Sequence, residues 1–499
     1  MTILERLFHA AETRPHQIAF IADERNWSFR RFAGHVECMA QALSAHGVRP
    51  GDRVALHMDN VAEIAIAYFA CFRLGAIAAP LNNRLKTPEL SALLERLQPA
   101  LYIGQDHLYP LIASIDPQIL PVETRFIVGR TTMNGGARPF DALFDHGKVT
   151  LEASLPPETA PVLLLTTSGT TGHPKFVAHN MATMTAFAEG FLRFGLVPGD
   201  IVVSSSAMVH GIGLFSFISS FYHGGRAVLL ERFDPDAMLD AIAAHGATWV
   251  MGLPFMFSAM LERQRTQPRD ISSLRFCLAG GDVCPAALQQ EFPFVFDRPL
   301  HSNWGMSETA GVLAFGKRPG PVYPIVPGVE IRLVDDKANP VPRGMPGELL
   351  VRGANIALGY WVGPGQVEPC GADGWLATGD IMRQDERNEL WFVSRKKDLI
   401  VRGGSNISPI EVEEVLRTHP SVRDVAVLGT PDLELGQRVA ALIALADGSQ
   451  DGVLVDILAT ARARLADYKL PERLQVVEEI PKNAFGKIDR KSLPGLLTS

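Results

Sequence analysis

At residues 163–176 the sequence reads LLLTTSGTTGHPKF. Its apolar beginning is typical of a buried strand, and the remainder consists mainly of hydroxyl residues and glycines with one Lys. Glycines let backbone N–H groups approach an anion, hydroxyls donate further hydrogen bonds, and a Lys supplies positive charge. The stretch therefore predicts a phosphate-binding loop between a buried strand and a helix, with a flexible surface turn as the alternative.

The spacing within this loop limits which kind of phosphate loop it can be. The segment from Gly169 to Lys175 cannot be aligned with GxxxxGK[ST], the pattern of nucleotide-binding P-loops. The sequence therefore predicts a phosphate-binding loop of a type other than the P-loop.

Short apolar runs alternate with amphipathic stretches on both sides of the loop, and this alternation predicts parallel strands joined by crossover helices in a layered α/β domain. The predicted strands are RVALHM, PVLLLTT and DIVVSSS, and the predicted helices lie near residues 61–74 and 181–194. From residue 326 to 352, short strands separated by Gly and Pro turns predict a small β-rich subdomain. Farther on, short strands mixed with helices at 409–418 and about 452–465 predict a separate α+β domain.

The chain has 499 residues, which is more than one hydrophobic core usually holds. We expect a large N-terminal domain over residues 1–393, a hinge at 394–398 and a small, mobile C-terminal domain over 399–499. Its fold class is therefore α/β for the large domain, with the β-rich subdomain inside it, and α+β for the small one.

Composition excludes several classes of function. Asp and Glu outnumber Lys and Arg by 54 to 47, which argues against a general nucleic-acid binder. The five cysteines show no CxxC spacing, so neither a disulfide frame nor a zinc site is predicted. No export signal is visible, and the longest apolar tract is interrupted by Glu63 and Arg73. We expect a cytoplasmic protein without a membrane span.

Beyond the loop, four segments occur in an order that has a known counterpart. They are NWGMSET at 303–309, GWLATGD at 374–380, SRKKD at 394–398 with GGSNI at 403–407, and PKNAFGKI at 481–488. With TSGTTGHPK and these four segments, in this order, the chain resembles the adenylate-forming superfamily. That superfamily contains acyl-CoA synthetases, amino-acid adenylation domains and beetle luciferases. The resemblance implies an enzyme that activates a carboxylic acid with ATP.

The resemblance assigns the nucleotide side of the site residue by residue. Glu308 resembles the family's Mg²⁺ ligand, and a hard carboxylate suits that ion. Lys487 resembles the catalytic lysine that bridges the attacking carboxylate and the α-phosphate. The phosphate-binding residues are then Thr167, Ser168, Gly169, Thr170, Thr171, Gly172, Lys175 and Ser307. The adenine- and ribose-binding residues are Gly280, Gly281, Asp282, Asn303, Trp304, Gly305, Asp380 and Arg395.

For the thiol and acyl sides the resemblance implies a moving domain and a separate pocket. Lys397 occupies the family's hinge position, about which the C-terminal domain rotates between two half-reactions. Gly403, Gly404 and Ser405 would line the channel for coenzyme A. His210 resembles an aromatic or His position that gates entry of the carboxylate, and it is counted with the catalytic residues. The acyl pocket is expected at His210, Gly211, Leu214, Met251, Trp304, Met306 and Val312.

These assignments predict an ATP-dependent carboxylic acid:CoA ligase that uses Mg²⁺ and acts on a mostly apolar acyl or aryl acid. One alternative is an adenylation enzyme that loads an acyl or aminoacyl group onto a carrier protein in trans. The segment HGIGLFSF lacks the Asp that amino-acid-activating members place there, which favours CoA. A non-catalytic nucleotide-binding protein is a third alternative, opposed by the presence of Lys175, Glu308 and Lys487. The expected partners are the acid, ATP and CoA, with no nucleic acid, and a homodimer stays open.

Overall fold

We describe the protein from a computed structural model, which covers residues 1–129, 136–147, 149–167, 175–311, 313–324, 328–402, 405–432, 434–446, 452–483 and 487–497. The chain divides into two compact units. The larger unit contains residues 1–330 and 352–376, and the smaller contains 331–351 and 377–499. The hinge predicted at 394–398 and the domain boundaries beside it stay predictions.

The larger unit contains two mixed sheets. In strand order, sheet 1 consists of Tyr323–Pro324, Ala314–Gly316, Leu300–Trp304, Phe276–Ala279, Trp249–Gly252, Ile201–Ser204, Arg226–Leu229, Ile18–Ala22 and Arg25–Ser28. Sheet 2 consists of Gln366–Glu368, Gly359–Gly363, Lys175–Asn180, Pro161–Thr167, Ile77–Pro80, Arg53–His57, Leu101–Gln105, Arg125–Val128 and Arg138–Pro139. The central strands of each sheet are parallel; antiparallel strands stand at both ends of sheet 1 and at the Gln366–Glu368 end of sheet 2, whose other end is parallel.

Helices cover these sheets and build the core. They are Ile3–Thr13, Phe29–Ala45, Ala62–Leu74, Thr87–Leu97, Pro110–Ala113, Met181–Gly190, Gly211–Tyr222, Pro235–His245, Pro254–Thr266, Ala286–Glu291 and Pro293–Phe296. The helix Ala62–Leu74 is apolar almost all round and buried on nearly every side, as such a sequence requires. It joins the parallel strands Arg53–His57 and Ile77–Pro80, which confirms the predicted crossover.

The helix predicted near residues 181–194 is confirmed, as Met181–Gly190 followed by the 3-10 turn Phe191–Phe194. It does not follow the opening loop directly, because an unpredicted strand, Lys175–Asn180, lies between them and pairs antiparallel with Pro161–Thr167. Phe176 and Val177 favour this strand, since aromatic and β-branched residues suit a pleated backbone. The helix starts only at Met181, because the Asn180 side chain accepts a hydrogen bond from the Thr183 N–H at 2.8 Å and caps it.

The smaller unit contains two further sheets and confirms the predicted α+β texture. Sheet 3 has the order Glu330–Val334, Pro346–Arg352, Leu376–Gln384, Leu390–Arg395. Sheet 4 contains Ser405–Ile407, Ile400–Arg402, Gly436–Leu445 and Val422–Asp432, with Arg473–Val477 beside Gly436–Leu445. The helices Pro409–Arg417 and Val453–Arg462 belong to this unit. Ser408 caps the first of them by accepting from the Glu411 N–H.

Candidate active site

One face of sheet 2 carries a group of polar side chains in the larger unit. Side chains alternate across a strand, so Lys175, Val177 and His179 share a face of Lys175–Asn180. Tyr360 of the neighbouring strand lies directly opposite Val177 and therefore joins the same face. On the opposite face Trp361 packs edge-on against Phe176, with ring centroids 5.7 Å apart. The strand pairing thus brings Lys175 and Tyr360 together.

Glu308 lies in the single 3-10 turn Ser307–Thr309, and all three carbonyls of that turn accept hydrogen bonds. The His179 ring nitrogen Nε2 contacts the Ser307 carbonyl at 2.7 Å, and the Ala357 N–H donates to the Glu308 carbonyl at 2.8 Å. The Asn355 amide donates to the Thr309 carbonyl at 3.0 Å. The backbone of the turn that carries Glu308 is therefore fixed by one strand of sheet 2, Lys175–Asn180, and by the chain that precedes the strand Gly359–Gly363.

The Glu308 carboxylate is itself buried and held. It is 6% exposed, and the Tyr360 hydroxyl donates to its Oε1 at 3.0 Å. The Lys175 ammonium lies over the Tyr360 ring, 4.4 Å from its centroid. Burial, followed by the neighbouring Glu308, raises the pKa of Tyr360, so this hydroxyl stays a donor at any working pH. Burial and Glu308 also raise the pKa of Cys370 to about 12, while Lys175 opposes them.

The sequence reasoning missed His179, Asn355 and Tyr360. The first of these is fully buried, and its burial lowers its pKa to about 4, so the ring is neutral and donates a single N–H to Ser307. The alternation of Lys175 and His179 with apolar residues was a usable signal for one polar strand face. No sequence signal connected Tyr360 to Glu308, because the contact depends on strand register between segments far apart in the chain.

The expected adenine-side residues meet at the ends of two neighbouring strands of sheet 1. Gly280 follows Phe276–Ala279, and a Cβ there would collide with the Asn303 amide at the end of Leu300–Trp304. The Nδ2 of Asn303 is buried and has no hydrogen-bond partner within the described part of the chain. Gly281 has φ +82°, and Asp282 is exposed and accepts from the Val283 N–H. The Asn303 amide donor, next to a glycine backbone that has no side chain in the way, suits a hydrogen bond to the edge of a nucleotide base.

The residues predicted for the acyl pocket lie on three parts of the larger unit: the start of the helix Gly211–Tyr222, the strand Trp249–Gly252, and the end of the strand Leu300–Trp304 with the residues after it. His210 stands at its N-cap position, and Leu214 is fully buried. Gly213 packs directly against the carbonyls of Ser206 and Ala207, which leaves no room for a Cβ. Met251 is buried in strand Trp249–Gly252, while Gly211, Trp304, Gly305 and Met306 are partly buried.

In the smaller unit the two predicted ribose ligands form an ion pair. Asp380 and Arg395 are directly opposite each other on antiparallel strands, with the arginine Nε 2.8 Å from the aspartate Oδ1. Asp380 is 2% exposed, whereas 40% of the Arg395 side chain is accessible. The Thr378 hydroxyl accepts from the Asp380 N–H at 3.1 Å and fixes the backbone there.

Lys397 lies exposed in the 3-10 turn Lys396–Asp398, between two anchored neighbours. Lys396 pairs with Asp336 at 3.0 Å and Glu348 at 2.9 Å, and Asp398 lies 3.5 Å from the Arg490 guanidinium. Lys487 is partly buried, and its N–H donates to the Asn483 side chain at 3.2 Å. Ser405 begins the strand Ser405–Ile407.

Some predicted residues cannot be placed. Ser168, Gly169, Thr170, Thr171, Gly172, Val312, Gly403 and Gly404 lie outside the described residues. Thr167 is the last residue of its strand and pairs with Lys175.

The described residues suit a Mg²⁺ ion bound together with a nucleotide better than they suit a metal ion held by protein ligands alone. Over those ranges the chain has no group of three or more His, Cys, Asp or Glu side chains that could hold a metal. Mg²⁺ usually binds one or two carboxylates and completes its shell with water and substrate phosphates. A single buried, oriented carboxylate such as Glu308 suits that arrangement.

Comparisons with known proteins agree with this geometry. Residues 7–361 match the family of AMP-binding enzymes and residues 411–487 match the AMP-binding enzyme C-terminal domain. The chain belongs to the AMP-binding enzyme family, which confirms the adenylate-forming resemblance. Relatives that match nearly the whole chain are acid–CoA ligases, so the class of this chain is AMP-forming acid–CoA ligase, as predicted.

Among the relatives is an indoleacetate–CoA ligase of Aromatoleum aromaticum, 32% identical over 100% of this chain and 98% of that protein. A feruloyl-CoA synthase of an Amycolatopsis species is 33% identical over 96% of this chain and 95% of its own length. A fatty acid–[acyl-carrier-protein] ligase of Streptomyces coeruleorubidus is 29% identical over 99% of this chain and 96% of its own.

Two solved structures share the fold over nearly the whole chain. An anthranilate CoA ligase in complex with anthranoyl-AMP has a TM-score of 0.91 and 29% identity, covering 99% of this chain and 97% of that one. The o-succinylbenzoate CoA synthetase of Bacillus subtilis in complex with ATP and a magnesium ion has a TM-score of 0.85 and 29% identity, covering 98% and 99%. Within the described residues, no helix is both long and apolar enough to cross a bilayer. The expected cytoplasmic location stays a prediction.

Proposed function

We propose that this chain is an ATP-dependent ligase that joins an aryl or mostly apolar carboxylic acid to coenzyme A, with Mg²⁺ bound alongside the nucleotide. The observation that supports it best is the polar group formed by Lys175, Glu308 and Tyr360 at the foot of the loop 168–174. A buried carboxylate and a lysine that both contact one tyrosine suit the binding of a metal–triphosphate complex.

In the first half-reaction a carboxylate oxygen of the acid attacks the α-phosphorus of ATP, and the bond from that phosphorus to the departing pyrophosphate breaks. Lys175 binds phosphate oxygens of the leaving group, and Lys487 offsets the charge that gathers between the carboxylate and the α-phosphate. Glu308 would hold the Mg²⁺, which supplies charge neutralisation on the phosphates when bound. Asn303 faces the base, and Asp380 with Arg395 hold the ribose hydroxyls.

In the second half-reaction the sulfur of coenzyme A attacks the acyl carbon, the bond to AMP breaks, and the thiol proton is released to solvent. The residues around the hinge position Lys397 and the segment 403–405 would serve this step. Positioning and charge carry both steps, because neither requires a covalent enzyme intermediate.

The acid is proposed to be aryl or apolar because the rings near His210 are closely packed. Phe215 lies on the first turns of the helix Gly211–Tyr222 and packs against Phe187 with centroids 4.6 Å apart. Apolar surroundings of this kind disfavour a charged acyl group. The acids of two relatives, indoleacetate and ferulate, are likewise aryl acids.

Carrier loading is the second candidate, since one relative ligates fatty acids to an acyl carrier protein. Pyrophosphate exchange measured across a panel of aryl and aliphatic acids, followed by thioester formation with the best one, separates the two. The ligase proposal predicts acyl-CoA from the same acid that drives exchange. Robust exchange with no acyl-CoA, but with acylation of a supplied carrier protein, would favour the second candidate.

A further inference from the structure

The tyrosine at position 360 touches both charged residues of the proposed phosphate site, and none of the assigned roles includes it. Its hydroxyl donates to the Glu308 Oε1 at 3.0 Å, and its ring face lies 4.4 Å from the Lys175 ammonium. One rigid side chain with two rotatable bonds therefore contacts a buried anion through one end and a cation through its face.

Three observations fix this side chain in place. Strand pairing sets Tyr360 opposite Val177, two residues from Lys175 on the same face. The Leu358 N–H donates to the Ala178 carbonyl at 2.9 Å, so the register is also held before the strand begins. On the other face Trp361 is 3% exposed and packs on Phe176, which prevents the strand from rotating. Tyr360 is thus oriented by its backbone and not by the groups it contacts.

Lys175 and Glu308 contact different parts of the tyrosine side chain. The lysine is attracted to the negative ring face, while the glutamate accepts a hydrogen bond from the hydroxyl at the ring edge. Both charges are therefore stabilised by the same side chain.

We propose that Tyr360 is a positioning residue that orients Lys175 and Glu308, its ring contacting the proposed phosphate-binding lysine and its hydroxyl contacting the proposed magnesium-binding glutamate. This inference rests on the proposed function. It predicts that the two contacts can be removed separately, because they use different parts of one side chain.

Two substitutions test the division. Tyr360→Phe keeps the ring and removes only the hydroxyl, so Glu308 loses its donor and Lys175 keeps its support. A hydrogen bond to a charged group is strong enough for its loss to weaken metal binding by on the order of 10-fold. Tyr360→Leu removes the ring as well and should additionally weaken nucleotide binding, by about 3- to 10-fold for a partly desolvated cation–ring contact. Trp361→Phe is the matched control, since it keeps an aromatic ring against Phe176 and changes a residue on the same strand that faces away from Lys175 and Glu308.

The measurement is equilibrium binding without acid or coenzyme A. Affinity for an ATP analogue with a non-cleavable α,β-bridge is measured by calorimetry without metal, and affinity for Mn²⁺ in its presence by electron paramagnetic resonance. We expect Tyr360→Phe to weaken Mn²⁺ binding and spare the analogue, Tyr360→Leu to weaken both, and Trp361→Phe to weaken neither.

The other outcomes separate two kinds of failure. Wild-type affinities in both tyrosine variants would overturn the positioning role while leaving the ligase proposal intact. Equal weakening by Phe and Leu would also overturn it, because the ring would then contribute nothing of its own. If the unsubstituted protein binds no nucleotide at all, the proposed function fails together with this inference.

Discussion

The turn Ser307–Thr309 and the first turns of the helix Gly211–Tyr222 both supply predicted site residues, but their side chains have different surroundings. The turn is held by hydrogen bonds to all three of its carbonyls, with a fourth to the Glu308 carboxylate. The first turns of the helix pack Leu214 and Phe215 into the apolar core, and the segment before them is hydrogen-bonded by Asn60 and Tyr68 to backbone groups at 206 and 208. Polar contacts fix one geometry, whereas apolar packing tolerates many shapes of similar volume.

This difference suggests that the two regions control different properties. Substitutions on the polar side should change the rate with every acid by a similar factor, since all acids use the same nucleotide. Substitutions on the apolar side should change which acid is preferred and leave nucleotide use alone. The predictions below test this contrast, beginning with the largest effect.

Lys487→Ala should reduce acyl-adenylate formation by at least about 100-fold with every acid, because a charge aimed at the transition state is lost. Thioester formation from supplied acyl-AMP should be largely spared. Single-turnover assays of each half-reaction check this, with the exposed Lys491→Ala as control. Equal loss of both steps would contradict the alternation of one site between two reactions.

Glu308→Gln should lower pyrophosphate exchange by about 100-fold for aryl and aliphatic acids alike, since the amide keeps the shape but removes the metal-binding charge. Exchange rates at several Mg²⁺ concentrations provide the measurement. Glu368→Gln, an exposed residue paired with Tyr360 across the strands, should behave as wild type. A loss confined to one type of acid would break the contrast between the two regions.

His210→Ala should change the ratio of kcat/KM between an aryl and an aliphatic acid by about 10-fold, the scale that a reshaped apolar pocket gives. The KM for ATP should stay unchanged, and the exposed His9→Ala should alter neither quantity. If the KM for ATP changes and the ratio of kcat/KM between the two acids does not, His210 acts on the nucleotide and not on the choice of acid.

The smallest effect concerns pH. Burial lowers the pKa of His179 to about 4, below the value of about 6.5 expected in the unfolded chain. The unfolded state therefore binds more protons between these values, so stability is full above pH 6.5 and is lost as the pH falls towards 4. Between pH 7 and 5 His179 should account for about 2 kcal/mol of that loss.

Urea unfolding of wild type and His179→Gln at the two pH values checks this expectation. The variant should be less stable at pH 7 and should lose less stability on acidification. An identical pH dependence in both proteins would show that the buried ring does not titrate as described.

The same contrast governs what the sequence could reveal. Glycines, hydroxyls and a lysine at close spacing predicted a phosphate-binding loop, because that chemistry restricts residue types locally, and the resemblance to the adenylate-forming superfamily predicted the roles of Glu308 and Lys487. The predicted helix after the loop is present from Met181, but the strand Lys175–Asn180 between them was not predicted.

Other features were out of reach for a physical reason. The contact between Tyr360 and Glu308 depends on the pairing of Gly359–Gly363 with Lys175–Asn180, strands nearly two hundred positions apart in the printed sequence. Likewise, the packing of Phe215 on Phe187 follows from how two helices meet. Long-range register and packing are properties of the whole fold, which local patterns do not encode.

The most direct test of the central claim follows one oxygen atom. An acid labelled with ¹⁸O in its carboxylate is converted to its CoA thioester in the presence of ATP and Mg²⁺, and the released nucleotide and phosphates are analysed by mass spectrometry. Attack on the α-phosphorus predicts one labelled oxygen in AMP and none in pyrophosphate. Label recovered in inorganic phosphate with ADP as the nucleotide product would contradict the account.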